Sequence, residues 1–134
     1  MSLIRNLHED TIINLPKGDL HVHLNGAIPT HLVRELLKKY PDQIPPHFDL
    51  DENLNILEPQ KNLLEYLKPW QVLNLIPKSN NDLNQIAQQT FFSFKLANIN
   101  FVEIRNTIFY IANLNSISIE EAIVWMGFVA QTYL

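Results

Sequence analysis

Cysteine is absent from the chain, and this absence restricts the chemistry that the protein can perform. Without thiols there is no disulfide, no thiolate nucleophile and no zinc site built on Cys ligands. A bound metal ion must therefore rely on His, Asp and Glu side chains. The lack of disulfides is also compatible with the cytoplasm, which is the location we expect.

Long apolar segments and segregated charges are missing as well. No uninterrupted apolar run reaches the length of a membrane span, and residues 1–11 lack the apolar stretch of a signal peptide. The 10 Lys and Arg residues are scattered among 14 Asp and Glu residues, so no basic stripe can neutralise a nucleic-acid backbone. We expect neither a membrane nor a nucleic acid as partner. With 46% apolar residues, the 134-residue chain can build the core of one globular unit.

Two histidines lie close together in a segment with strand periodicity. Residues 19–24 alternate between polar and apolar side chains, which is typical of a β-strand. His21 and His23 then share a face, with α-carbons about 6–7 Å apart at a rise of about 3.3 Å per residue. Both rings can reach one zinc ion at about 2.0–2.1 Å. Two histidines on a solvent face, or hydrogen-bonded in a core, are the other interpretation, and spacing alone does not decide.

The remaining chain predicts helices around a second strand. The Asn25-Gly26 pair is expected to end the first strand in a turn with positive backbone angles. The further expected elements are a helix capped by Thr30 and ending near residue 40, an irregular Pro-rich surface excursion at 41–60, a short helix at 61–67, a long helix from the Ser79 and Asp82 capping box to residue 97, a strand at 101–105 and a helix after Ser118. Strands that alternate with helices in this way are typical of a parallel α/β sheet.

Two segments carry a family resemblance. The first is Leu15-Pro16-Lys17-Gly18-Asp19-Leu20-His21-Val22-His23-Leu24-Asn25-Gly26-Ala27-Ile28, and the second is Phe101-Val102-Glu103-Ile104-Arg105. They resemble the first two strands of the adenosine deaminase family of metal-dependent hydrolases, whose usual wordings are Pro-Lys-x-Glu-Leu-His-x-His-Leu-Asp-Gly and Val-Glu-x-Arg. The resemblance runs from about residue 15 to the end of the chain.

The fold that this resemblance implies is α/β, namely the N-terminal portion of a TIM (β/α)8 barrel. It contains two βα units and an inserted helical lid region, and it is incomplete as a barrel. Residues 1–134 then form part of one domain, divided into an N-terminal arm (1–14), the first strand with the metal motif (15–29), a helical excursion (30–99) and the second strand with its helix (100–134). Since the sequence stops inside an apolar helix, we expect the natural chain to continue past Leu134.

The resemblance also assigns candidate site residues. His21 and His23 match the family's two metal-ligand histidines on this strand, which bind one Zn²⁺ ion. Asn25 and Gly26 match substrate-binding positions, and Leu63, Tyr66 and Thr107 are weaker candidates, the first two in the lid region over the purine. The family's third metal histidine and its catalytic Glu, His and Asp lie beyond this segment. No catalytic residue is therefore assigned here, and we expect the 134-residue chain to be inactive by itself.

The residue at position 25 departs from the family pattern. Adenosine deaminases typically carry Asp there, which accepts a hydrogen bond from the ribose 5'-hydroxyl and would repel a 5'-phosphate. Asn25 keeps an acceptor, adds a donor and removes the charge, as in the branch that acts on N6-methyl-AMP. The implied function is zinc-dependent hydrolytic deamination of a purine nucleoside or nucleoside monophosphate, of the adenosine, AMP or N6-methyl-AMP type.

A different class of function stays open, namely a short non-catalytic module derived from a deaminase. Two strands leave unpaired edges, so either the missing C-terminal barrel portion or self-association must cover them. In a self-associating module, the natural contact residues are Trp125, Phe128 and Val129.

The other polar candidates have structural interpretations. We expect a hydrogen-bonding role for Asp19 below the metal and an ion pair between Glu103 and Arg105. His8, His31 and His47 have no partner at a metal-ligand spacing, so we expect them on the surface.

Overall fold

The computed structural model of the chain describes residues 9–133. Two strands, β1 (Lys17–His23) and β2 (Ile99–Arg105), form a parallel pair within that range. The helices are α1 (Glu9–Asn14), α2 (Thr30–Leu37), α3 (Leu50–Leu54), α4 (Leu63–Tyr66), α5 (Trp70–Leu73), α6 (Asn80–Leu96), α7 (Ile108–Asn115) and α8 (Ile119–Tyr133), and two 3-10 turns cover Leu24–Ala27 and Pro41–Gln43. None of these helices is both long and apolar enough to cross a membrane.

The parallel pairing that the order of elements predicts is confirmed. At the carboxyl ends of the strands, Val22 lies opposite Ile104 and His23 lies opposite Arg105, with register shifts nearer their beginnings. β2 begins at Ile99, two residues before the predicted start, because Asn98 takes the left-handed conformation (φ 56°) that ends α6 and redirects the chain. Both strands therefore end at the same edge of the sheet.

Lysine 17 fastens the beginning of β1. Its ammonium group donates to the backbone oxygens of Ile13 (2.8 Å), Leu15 (3.1 Å) and Ala97 (3.0 Å), which lie near the ends of α1 and α6. Carbonyl groups at helix ends lack partners within the helix, and a cation satisfies them well. The Lys side chain thus holds both helix ends against the start of the strand.

Helix α6 forms the centre of the described core. As predicted, Ser79 caps it: its hydroxyl accepts a hydrogen bond from the backbone N–H of Asp82 at 3.0 Å. Its buried face includes Leu83, Ile86, Ala87 and Thr90. The residues that join them in one cluster come from the turn after β1, from α2 and from the segment around α5, namely Leu24, Ile28, Leu32, Val33, Leu36, Leu37, Val72, Leu73 and Ile76.

Three predictions about caps and turns are wrong. Residues 24–27 form a 3-10 turn, whose backbone angles are right-handed, so neither Asn25 nor Gly26 has a positive φ. Thr30 is the first residue of α2 and not its cap; Pro29 occupies the cap position, without a side-chain hydrogen bond. The helix also ends at Leu37, and Pro41 begins a separate 3-10 turn.

The Pro-rich segment at 41–60 is more ordered than predicted. Asp49 caps the short helix α3 by accepting hydrogen bonds from the N–H groups of Glu52 (2.9 Å) and Asp51 (2.7 Å), and these bonds hold the pKa of Asp49 below its usual value. Phe48 and Leu54 on either side are buried against the core. Burial of these two apolar side chains gives the segment a fixed position. Its proline and acidic residues had instead predicted an irregular surface excursion.

Helix α7 has no counterpart among the predicted elements. Ile108, Ile111 and Ala112 follow the i, i+3, i+4 spacing, and the last two are buried in a second cluster together with Ala122 of α8. Trp125 contacts both clusters and joins α8 to the core. Val129 is buried, so it is not available as a contact residue for another molecule, whereas Phe128 is 51% exposed.

A buried carboxylate links α6 to the end of α2. Asp82 is 2% exposed and accepts hydrogen bonds from the ammonium group of Lys39 (2.8 Å), the hydroxyl of Tyr40 (3.3 Å) and the backbone N–H of Lys78 (3.3 Å). The hydrogen bond to Asp82 is the main reason why the pKa of Lys39 is raised. Each oxygen of this buried acid therefore has a donor.

We expect Asp82→Asn to lower the free energy of unfolding by about 2 kcal/mol, because an amide gives up one acceptor and turns a donor toward other donors. Urea denaturation measures this loss. The matched control is Asp51→Asn, which breaks the Arg34–Asp51 pair (2.8 Å) whose carboxylate is 87% exposed, and its cost should stay below about 1 kcal/mol. Equal losses in the two variants would contradict a structural role for the buried acid.

Candidate metal and substrate site

The two histidines of β1 meet on its exposed face. Their Nε2 atoms are 3.2 Å apart, and their ring centroids are 5.1 Å apart. Two nitrogen ligands at about 2.0–2.1 Å from a tetrahedral zinc ion lie about 3.3 Å from each other, so the rings fit one metal ion. The same distance also fits a hydrogen bond from one neutral ring to the other. The 3.2 Å separation of the two Nε2 atoms therefore fits both interpretations of the pair, a shared metal ion and a hydrogen bond between the rings.

The histidine pair stands without a third potential metal ligand in the described portion of the chain. No group of three or more His, Cys, Asp or Glu side chains comes together there in a way that could hold an ion. Asp19, on the same face as the histidines, accepts a hydrogen bond from the backbone N–H of His21 at 3.2 Å, which agrees with the expected hydrogen-bonding role. A metal ion at His21 and His23 would keep positions open for further ligands and for water.

A cavity of about 530 Å³ lies at the carboxyl ends of β1 and β2, within the usual size range of ligand pockets. We call it the polar cavity because most of the residues that line it have polar side chains. Its polar lining comes from the ends of both strands, from α5 and from α7, namely His23, Asn25, Trp70, Asn74, Arg105, Asn106, Thr107, Tyr110 and Asn113. Among the described residues, no Asp or Glu lines it. The predicted ion pair between Glu103 and Arg105 is present. The Glu103 carboxylate lies 2.9 Å from the Arg105 guanidinium group, and both side chains are about half exposed.

Asparagine 25 is buried at the wall of this cavity. Its Nδ2 donates to the backbone oxygens of Leu73 (3.1 Å) and Ile76 (3.3 Å) and to the hydroxyl of Tyr110 (3.1 Å). The Tyr110 hydroxyl in turn donates to the Ile76 oxygen. The predicted donor of Asn25 is therefore engaged by the protein itself.

Trp70 touches both parts of the predicted motif. Its ring meets that of His23 edge to face, with centroids 6.1 Å apart at 89°. A methyl group added at Gly26 would lie 3.5 Å from the same indole, which is ordinary contact, so the backbone here is not crowded against Trp70. Sequence periodicity could not predict the contacts of Trp70, because the helix α5 is only four residues long. Its start is determined by Pro69, and its position is determined by packing.

The weaker candidates are separated by Trp70. Thr107 lines the polar cavity and precedes α7 without capping it through its side chain. Tyr66 lines a second cavity of about 250 Å³ on the Gly26 side of Trp70, whereas Leu63 is 69% exposed on α4.

Two further histidines of the described chain lie apart from this site. His31 and His47 are exposed, as expected, and His8 lies outside the described residues. Tyr110, Asn74, Asn106 and Asn113 are cavity residues that the sequence did not predict. The helical spacing after Thr107 was a signal for Tyr110 and Asn113 only.

The buried hydroxyl of Tyr110 gives a testable dependence of stability on pH. Burial is the main cause that raises the pKa of Tyr110 to about 12, while the hydrogen bond from Asn25 acts in the opposite direction. Between pH 10 and 12 the unfolded chain therefore loses a proton that the folded chain keeps, and stability falls as the pH rises. We expect Tyr110→Phe to remove this part of the decline in urea denaturation, and Tyr66→Phe to leave it unchanged. An identical decline in wild type and Tyr110→Phe would contradict the burial of the hydroxyl.

Comparison with known proteins gives curated relatives of two kinds. The chain is 26% identical over 95 residues to the N6-methyl-AMP deaminase of Bos taurus, covering 69% of this chain and 26% of that protein. It is 29% identical over 92 residues to the adenosine deaminase of Vibrio atlanticus, covering 68% of this chain and 28% of that protein. The chain thus spans about a quarter of the length of these relatives.

Solved structures with a similar fold cover nearly the whole chain. An amidohydrolase from Burkholderia ambifaria with bound zinc matches 98% of this chain and 37% of its own, with a TM-score of 0.69 at 20% identity. The N6-mAMP deaminase of Arabidopsis matches 93% and 37%, with a TM-score of 0.58 at 20% identity. Arabidopsis ADAL complexed with IMP matches 92% and 36%, with a TM-score of 0.57 at 20% identity. At this identity the likeness concerns the fold, and these neighbours are TIM-barrel proteins.

The sequence model of one family matches most of the chain. It is described as adenosine deaminase, and the match runs over residues 16–130, from the start of the histidine strand into α8. This range includes both strands, both histidines and the whole lining of the polar cavity. The chain therefore belongs to the adenosine deaminase family.

Proposed function

We propose that the protein is a zinc-dependent hydrolytic deaminase of purine nucleosides or their monophosphates, with monophosphates of the AMP or N6-methyl-AMP type as the preferred class. The observation that carries the proposal is the 3.2 Å separation of the two Nε2 atoms in a chain of the adenosine deaminase family. A second support is the polar cavity, which begins at His23.

The described elements serve as the first two units of a (β/α)8 barrel. β1 and β2 are its first two strands, and α2 to α5 are the inserted lid region between β1 and α6. In such barrels, active sites lie at the carboxyl ends of the strands. The position of the polar cavity at that edge supports this assignment, since His23, Arg105 and Thr107 all line it.

His21 and His23 are the residues that would hold the metal ion. When bound, zinc would supply an activated water for hydrolytic attack at the purine carbon that bears the amino group. The protein residues orient the ligands: the backbone of His21 is held by Asp19, and the ring of His23 packs against Trp70. Because the histidines provide two ligands only, we expect the 134-residue chain to be inactive by itself.

The hydrogen-bond donors of the polar cavity favour a phosphate-bearing substrate. Arg105 is the cation among its lining residues, and the amide groups of Asn74, Asn106 and Asn113 can donate hydrogen bonds. Arg is well suited to phosphate because its guanidinium group can donate two parallel hydrogen bonds. Among relatives and neighbours, N6-methyl-AMP deaminase and the complexes with IMP and GMP carry names that agree with a nucleotide ligand.

The self-associating module remains the second candidate, because several large apolar side chains are exposed. Leu20 of β1 is 65% exposed, Phe101 of β2 is 60% exposed, and Leu96 of α6 is 70% exposed. A second copy of the chain, or further strands of a barrel, could cover these surfaces. The two candidates differ in whether the protein retains a metal ion at the histidines.

We expect the purified protein, at the length in which its own cells make it, to retain about one zinc ion per molecule, by plasma mass spectrometry. His21→Ala and His23→Ala should each lose most of the metal, since a missing ligand leaves the ion without enough donors. His47→Ala removes an exposed histidine outside the site and is the matched control. Wild-type protein that contains no zinc, or zinc that the two histidine substitutions do not remove, would contradict the deaminase proposal and favour the self-associating module.

For the same protein, we expect deamination of AMP or N6-methyl-AMP to be more efficient than that of adenosine. Arg105→Gln should raise KM for the monophosphate about 10- to 100-fold, the equivalent of one charged hydrogen bond, and should change adenosine turnover little. Arg34→Gln removes another ion-paired arginine, one bound to Asp51 away from the cavity, and serves as control. If Arg105→Gln changes the kinetics of the nucleoside and of the monophosphate equally, the guanidinium group does not bind the phosphate.

A further inference from the structure

We propose that Asn25 and Tyr110 are positioning residues: together they fix the segment around α5 so that Trp70 holds the ring of His23. The inference rests on the proposed function only where it treats His23 as a metal ligand. Its structural part concerns contacts between protein groups alone.

The orientation of the Asn25 amide is dictated by its neighbours. The backbone oxygens of Leu73 and Ile76 can only accept hydrogen bonds, and both lie within 3.3 Å of Nδ2. The nitrogen must therefore face them, and Oδ1 must face away. Asn25 is only 7% exposed, so water cannot easily reach the amide to replace a broken hydrogen bond. Losing either bond would therefore cost free energy of folding.

An aspartate could not take the place of Asn25 without a structural penalty. Its ionised carboxylate only accepts hydrogen bonds, and one oxygen would face two carbonyl oxygens at about the same separation. These groups would repel each other in a site from which water is largely excluded. The choice of Asn over Asp at this position is thus explained by the protein's own carbonyl groups, independently of the charge of a substrate.

Tyr110 completes the arrangement from the opposite side. Its hydroxyl accepts from Asn25 at 3.1 Å and donates to the Ile76 oxygen, so it joins α7 to the same carbonyl group. Asn115, five residues farther along α7, donates to the oxygen of Pro77 at 3.1 Å. Three side chains thus hold the segment after α5 between the end of β1 and α7.

The held segment carries Trp70. The four-residue helix α5 begins at Trp70 and ends at Leu73, whose oxygen is one of the two carbonyl groups bound by Asn25. Four residues of helix leave little freedom between these two ends. The indole contacts the His23 ring edge to face and lies near Gly26. Loss of the Asn25 and Tyr110 bonds should therefore release Trp70 and let the His23 ring turn.

The test is proton NMR of the histidine rings in the metal-free protein, with the His23 signals assigned from His23→Gln. The ring current of Trp70 shifts these signals, and Trp70→Leu gives their position without it. Tyr110→Phe removes only one hydroxyl, and we expect it to move the His23 signals at least halfway to the Trp70→Leu position. Asn25→Asp should move them at least as far. In titrations with a zinc chelator, both variants should bind zinc on the order of 10-fold more weakly, as for other groups that orient metal ligands.

Tyr40→Phe is the matched control, because it removes a tyrosine hydroxyl that is bonded to Asp82 and does not line the cavity. It should lower stability without moving the His23 signals. The proposal is overturned if Tyr110→Phe and Asn25→Asp leave those signals at the wild-type position, or if Tyr40→Phe moves them equally. Since the NMR readout needs neither metal nor substrate, failure here would leave the deaminase proposal standing, and failure of the zinc and activity tests would leave the contact between Trp70 and His23 intact.

Discussion

Parallel pairing of β1 with β2 decides where every group of the candidate site lies. Because both strands run in the same direction, their carboxyl ends meet at one edge, with His23 opposite Arg105. The turn after β1 then brings Asn25, and the helix after β2 brings Tyr110, to the same place. In an antiparallel pair, the carboxyl end of the second strand would lie at the opposite edge of the sheet, away from the histidines. The polar cavity follows from this single topological choice.

Two buried polar groups connect helices that apolar packing alone would leave free to slide. Asp82 binds the end of α2 to the start of α6, and Asn25 binds the segment after α5 to α7. Buried polar groups stabilise a fold only when their partners are present, so each group specifies one arrangement of its helices. The site benefits from this specificity, because a ligand ring such as that of His23 has to keep its orientation to bind a metal ion.

Local signals in the sequence predicted the elements that depend on neighbouring residues. Alternating polar and apolar residues predicted β1, and the Ser79 capping pattern predicted the start of α6. The short helices α3 and α7 were missed or read as loops, because five to eight residues carry too weak a periodic signal. Thr30 was misjudged as a cap because a proline before it already sets the backbone angle there.

The sequence by itself determined that His21 and His23 share one face and that their surroundings match the adenosine deaminase family, since these facts depend on spacing along the chain. Only the tertiary structure decided what Asn25 does. Its partners Leu73, Ile76 and Tyr110 are 48, 51 and 85 residues away in sequence, and no local pattern connects them. A hydrogen-bonding side chain acquires its role from the groups that folding brings to it, and here those groups are the backbone carbonyls of a distant turn.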